Sequence, residues 1–203
     1  MTADINTPKQ ALVIGITGHR SVEETEEVQH RVDLVLEKLR LAYPNRKWIV
    51  LSLLAEGTDR IVVKKIRQFT NATAKHVVVL PLSLDEYQKD FSTPESKQEF
   101  NQLLGQADDV VELIPRKDRD EGYAQAGQYI LENCDVLVAI WDGRPEKGKG
   151  GTGEIVRHAR QRKLPLAWIR YREPESVNKS MIPLERDHVR ICFERFPLQE
   201  SSG

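Results

Sequence analysis

The chain has 203 residues, 30 of them Lys or Arg and 31 Asp or Glu, giving a net charge of −1. That balance argues against the basic surface of a nucleic-acid binder, and no apolar stretch approaches the roughly 20 residues of a membrane span. With 39% hydrophobic and 30% charged residues, the composition is that of an ordinary water-soluble domain.

The opening "MTADINTPKQ" has neither the basic nor the apolar region of a signal peptide, so a cytoplasmic location is expected. A series of continuous apolar runs follows: "ALVIGI" (11–16), "KWIVLSLL" (47–54), "HVVVL" (76–80), "DVVELI" (109–114), "DVLVAIW" (135–141) and "LPLAWI" (164–169). Continuous rather than alternating runs suit strands covered on both faces, as in a parallel sheet. The segments between them read as helices. Val28, Val32, Val35 and Leu39 share one face at helical spacing, and Ser21 with Glu24 has the form of a capping box. Thr58 is placed to cap a helix carrying Ile61, Val62 and Ile66, and Thr93 precedes Pro94 as a cap precedes a first-turn proline. Asp85, Glu86 and Tyr87 either start a helix or line a cleft. The charged "RKDRDEG" (116–122) reads as a loop, and "EGYAQAGQYILEN" (121–133) and "GEIVRHARQRK" (153–163) read as helices.

Near the end, "YREPESVNKS" (171–180) looks like a solvated connection, "HVRICFERF" alternates enough for a closing edge strand, and "QESSG" should fray. Cys134 and Cys192 are expected to be reduced and buried. Trp48 and Trp168 are expected in the core; Trp141 either joins them or stacks on a base. His19, His30, His76, His158 and His188 are scattered, so no metal site and no cofactor are expected. The expected fold class is α/β: a doubly wound, mostly parallel sheet flanked by helices. It forms a single domain over 1–203, with a core at 11–170 and an appendage at 171–203.

Ligands of such sheets gather beyond the carboxyl ends of the strands, and three loops there carry suitable residues. "GITGHRS" (15–21) offers Gly15, Thr17, Gly18, His19 and Arg20. Its glycines permit close backbone approach, the helix that follows favours an anion by about 0.3–1 kcal/mol, and Arg20 adds charge-assisted bonds. His19 has the alternative of a solvated loop residue. "AEGTDR" (55–60) offers Glu56, Gly57, Asp59 and Arg60. Its acids can contact a sugar or base, stabilise the helix start, or hold Arg20 internally. "WDGRPEKGKGGTGEIVRHA" (141–159) is dense in glycine, with Gly143, Gly148, Gly150, Gly151 and Gly153. Gly150, Gly151, Thr152 and Gly153 lead into a helix and can form an anion nest, with Arg144, Lys147 and Lys149 adding positive potential. Together the loops predict one nucleotide-sized cleft.

"GITGHR", "AEGTDR", "CDVLVAIWDG" and "GKGGTGEIVRHA", taken in order, resemble the SLOG superfamily over roughly residues 11–170. This Rossmann-like group includes Lonely Guy phosphoribohydrolases, DNA-processing protein A and YpsA-type domains. The resemblance implies a nucleotide or NAD-derived ligand with phosphate on the glycine-rich loop, bound by a sensor or binding module. Its alternative is an enzyme that hydrolyses or transfers at the N-glycosidic bond of a nucleotide, with Glu154 catalytic and Asp142 positioning the ribose. Glu154 follows Thr152 by two positions where the hydrolases have three, and "YAQAGQYI" lacks their upstream arginine. A homodimer and an unidentified effector protein are the macromolecular partners implied; nucleic acid and membrane are not.

Overall fold

In the computed structural model, residues 10–115, 117–145, 150–171 and 189–197 are described. Gly148, Lys147, Lys149, most of the 171–180 connection and "QESSG" lie outside them.

The strands are β1 (Ala11–Gly18), β2 (Lys47–Ser52), β3 (Lys75–Leu80), β4 (Asp109–Glu112), β5 (Val136–Trp141), β6 (Leu166–Tyr171) and β7 (Val189–Glu194). They form one seven-stranded sheet in the order β4-β3-β2-β1-β5-β6-β7. Every pairing is parallel except β6 with β7. The closing edge strand expected in the appendage is therefore present and antiparallel. The helices are α1 (Glu26–Ala42), α2 (Thr58–Phe69), α3 (Leu84–Tyr87), α4 (Pro94–Leu104), α5 (Arg119–Asn133) and α6 (Thr152–Gln161), with a 3-10 turn at Gln88–Asp90.

Side-chain parity explains how the sheet is covered. Leu12, Ile14 and Ile16 of β1 and Val136, Val138 and Ile140 of β5 point to the face that holds Val28, Val32 and Leu36 of α1 and Ile61 and Val62 of α2. Leu137, Ala139 and Trp141 point to the opposite face, against Ala126 and Ile130 of α5 and Ile155 and Val156 of α6. A period of two along a strand sends successive residues to opposite faces. Both faces are apolar here because both carry helices.

Five local expectations are corrected. Ser21 and Glu24 do not form the cap of α1; Thr25 does, its hydroxyl accepting from Val28 N at 3.3 Å. Val22 is buried, which holds that stretch as packed loop ahead of the helix. Thr58 is the first residue of α2, after Gly57 at the cap, and its side chain is used elsewhere. The run at 109–114 yields only the short edge strand β4, with Val110 44% exposed, because nothing described lies beyond it. Cys192 is exposed and only Cys134 is buried, since β7 is the other edge. The charged stretch at 116–122 is also partly helical, α5 starting at Arg119. Asp118 caps it by accepting from Glu121 N at 2.9 Å.

Trp48 lies in the core, while Trp168 is half-buried. Thr93 caps α4 ahead of Pro94, as expected. Among the described residues, no helix is long and apolar enough to cross a membrane.

Candidate functional site

Chain order reverses at β1, whose neighbours are β2 on one side and β5 on the other. The loops that leave β1, β2 and β5 therefore emerge on one edge of the sheet, at the switch point where open α/β sheets bind ligands.

The first two loops are stitched together. Thr58 donates to His19 O through both its N–H, at 3.3 Å, and its hydroxyl, at 3.0 Å. His19 N donates in turn to Ile140 O of β5 at 3.1 Å. There is no room between these strands for a side chain at Gly18, where a Cβ would lie 2.6 Å from Ile140 O. Gly15 serves packing rather than the loop: a Cβ there would lie 2.6 Å from Ile130 Cγ2 of α5. Thr17 is half-buried, paired in register with Ala139.

The side chains of the second loop mostly turn inward. Asp59 is buried and accepts from Leu53 N at 2.8 Å. Burial drives its pKa up to about 7, against the N–H groups of Leu53 and Ala55 and the charges of Arg20 and Arg60, which favour the ionised form. Arg60 is also buried. It donates to Leu54 O at 3.1 Å and to Ser96 O, Ser96 Oγ and Glu99 Oε2, each at 3.0 Å, and lies over the Phe91 ring. Glu56 accepts from the Ser96 hydroxyl. Arg60 and Glu56 anchor the loop to α4.

A cleft of about 410 Å³ opens beside them, lined by Arg20, Asp90, Arg119, Asp120, Tyr123, Gly150 and Gly151. Arg20 donates to Tyr123 Oη at 2.8 Å and approaches Asp90 Oδ2 at 3.5 Å. Its internal partner is thus Asp90 rather than Asp59 or Glu56. Burial opposes the Arg20 charge, but Tyr87, Tyr123 and Asp90 outweigh it and hold the guanidinium above its ordinary value. The Tyr123 hydroxyl donates to Asp90 Oδ2, and Arg119 donates to Asp90 Oδ1. Burial, then the bond to Asp90, pushes the Tyr123 phenol up to about 12.

The third loop contributes backbone. Gly150 has φ +75°, and a Cβ there would lie 2.8 Å from Ala124 N, so only glycine fits against α5. Glu154 reaches back to accept from Gly150 N at 2.6 Å and pairs with Arg157 at 3.7 Å. Thr25, Thr93 and Asp118 cap α1, α4 and α5 with their own side chains. α2 and α6 instead open on Gly57 and Gly151, with no side-chain cap, and of the two it is Gly151, followed by Thr152 and Gly153, that lines the cleft.

At the base of the same loop, His19 Nε2 lies 3.1 Å from Asp142 Oδ1 and 3.4 Å from Asp142 N. Protonated, Nε2 donates to the carboxylate; unprotonated, it accepts from the N–H. Burial works against the Asp142 charge, but Arg144 N–H and His19 hold the carboxyl below its usual range. Gly143 lies against the Trp168 ring, 3.2 Å from a built Cβ. Trp141 is buried with its ring 5.4 Å from Trp168, a core residue rather than a platform for a base.

Of the residues named from sequence, the cleft brings together Arg20, Gly150 and Gly151. Asp90, Arg119, Asp120 and Tyr123 complete it and were not among the candidates. The glycines Gly122 and Gly127 flanking Tyr123 were the available signal: a Cβ would lie 2.3 Å from Pro81 O at the first and 2.1 Å from Ile155 Cδ1 of α6 at the second, so α5 packs closely on both. Asp85 and Glu86 start α3 and are exposed, while Tyr87 is buried. Among the described residues, no group of His, Cys, Asp and Glu is placed to hold a metal ion. A scan against protein-family models finds no match for this chain, and a search of curated proteins also finds none.

Proposed function

We propose that the cleft binds a nucleotide or NAD-derived ligand through its phosphate, as a SLOG-like binding module. The observation that carries this reading is the start of α6. Its first-turn N–H groups lack acceptors within the helix, Gly151 supplies no side-chain cap, and Arg20 and Arg119 line the same cleft. A helix start of that kind stabilises an anion through its N–H groups and dipole.

Titration calorimetry with nucleoside mono- and diphosphates and NAD tests it. Wild-type protein should bind at least one of them, and Gly151→Asp should abolish that binding. Aspartate is a favourable helix cap, so this substitution keeps α6 while placing a carboxylate where the phosphate would sit. Binding that survives Gly151→Asp, or no binding by the wild type, overturns the reading.

A further inference from the structure

Both oxygens of Asp90 are used by the cleft's cations and phenol. Oδ1 accepts from Arg119; Oδ2 accepts from Tyr123 and lies 3.5 Å from Arg20. A carboxylate gripped by two guanidiniums and a hydroxyl is arranged as a phosphate group would be, with anionic oxygens facing converging donors. The carboxylate belongs to a three-residue 3-10 turn, Gln88–Asp90, not to a long helix. The turn's flanks are fixed: Tyr87 and Phe91 are 0% and 1% exposed, and their rings meet edge-on 5.2 Å apart. The side chain of Asp90 can therefore rotate off the arginines without the segment unfolding.

Resting on the phosphate reading of the same cleft, we infer that Asp90 is a resident anion in a second phosphate subsite between Arg20 and Arg119, and that a diphosphate ligand displaces it. One phosphate takes the start of α6. The other takes the two guanidiniums, replacing the Asp90 carboxylate as their counter-charge. Arg119 keeps a second tie, 3.5 Å from Glu86 Oε2, so it stays at the cleft wall when Asp90 leaves. Arg20 keeps its place over the Tyr123 ring, 5.4 Å from the centroid. Asp120, on the same wall, offers a carboxylate to the hydroxyl donors of a sugar. The class implied is a sugar or nucleoside diphosphate rather than a monophosphate.

The test is calorimetric titration of the full chain with inorganic pyrophosphate, comparing wild type, Asp90→Asn and Arg119→Ala, with folding of each variant checked by its thermal transition. A neutral amide no longer competes for the arginines, so Asp90→Asn should bind pyrophosphate about tenfold more tightly. Arg119→Ala should bind it at least about tenfold more weakly. Equal or weaker binding by folded Asp90→Asn overturns the displacement, as does failure of every form to bind pyrophosphate. Should Asp90→Asn fail to fold, Asp90→Ser serves the same comparison. The nucleotide reading is judged apart: Gly151-dependent nucleotide binding with no Asp90 effect on pyrophosphate sinks only the displacement. A tightened Asp90→Asn with no nucleotide bound sinks only the nucleotide.

Discussion

Gly57 lies directly against the backbone of Arg20: a Cβ built on it would lie 2.5 Å from Arg20 O, and its φ is +70°. Two penalties therefore meet at one position. A side chain at this positive φ costs about 1–3 kcal/mol, and forcing it into occupied space costs a similar amount. Gly57→Ala should destabilise the fold by about 2–4 kcal/mol in urea denaturation. It should also push the Arg20 loop away from the cleft, so nucleotide binding should weaken by more than the unfolded fraction explains. A variant as stable as the wild type would show that the β1 and β2 loops are not wedged together.

Glu154 separates a positioning role from a catalytic one. Its carboxylate holds Gly150 N and faces Arg157. Glutamine keeps an oxygen acceptor for Gly150 N, so Glu154→Gln should retain ligand binding, while Glu154→Ala should loosen the loop at a cost of about 1 kcal/mol. Incubation with nucleoside monophosphates supplies the second readout. Free base released by the wild type but not by Glu154→Gln would establish N-glycosidic chemistry and overturn a purely positioning role.

Arg60 should tolerate lysine poorly. Its fork reaches Leu54 O, Ser96 and Glu99 at once while its flat face covers Phe91. A lysine ammonium cannot span those partners in one plane. Arg60→Lys should cost about 2–3 kcal/mol, read as a lower urea midpoint with an unchanged slope. A cost below about 0.5 kcal/mol would mean that the α2–α4 tie carries little of the stability.

The buried carboxyl of Asp59 makes a pH prediction. Its folded pKa of about 7 lies above the ordinary 3.8. Between those values the folded chain therefore keeps a proton that the unfolded chain has released. The stability from this group is present below about pH 4 and is lost as pH rises towards 7. At about 1.36 kcal/mol per pKa unit, the loss amounts to a few kcal/mol. Asn is neutral throughout, so Asp59→Asn should gain on the wild type between about pH 4 and pH 8 when the two are unfolded in parallel. His76, also buried, shifts the opposite way, to about 4; it is common to both proteins and cancels in the difference. An identical gap at both pH values would show that Asp59 ionises in the fold as it does in the unfolded chain, and would overturn the raised pKa.

The sequence revealed the sheet more fully than the site. A run such as "DVLVAIW", continuous rather than alternating, is the pattern of a strand covered on both faces, and that pattern made the parallel sheet legible. "DVVELI" has the same pattern but lies at the edge, because a run does not encode how many strands lie beyond it. Asp59 and Arg60 have the chemistry of ligand contacts. They face inward because the backbone of 53–55 and the α4 start need an acceptor and a donor, and that demand is tertiary. Asp90 and Tyr123 are 33 residues apart in sequence and meet through their bond, with no local pattern to announce it. Arg20 was legible as a cation at a loop mouth, but the identity of its partner was not.

The two sides of the cleft differ mechanically. Gly150 is pressed onto the first turns of α5, where a Cβ would lie 2.8 Å from Ala124 N and 2.9 Å from Tyr123 Cβ, so this glycine and the helix behind it move as one. The Asp90 carboxylate, by contrast, meets that helix through the side chains of Arg119 and Tyr123. Reshaping which molecules fit should therefore begin at residues 88–90, where the chain can be edited without dislodging a helix; changes around Gly150 would trade selectivity against the integrity of the sheet's covering layer.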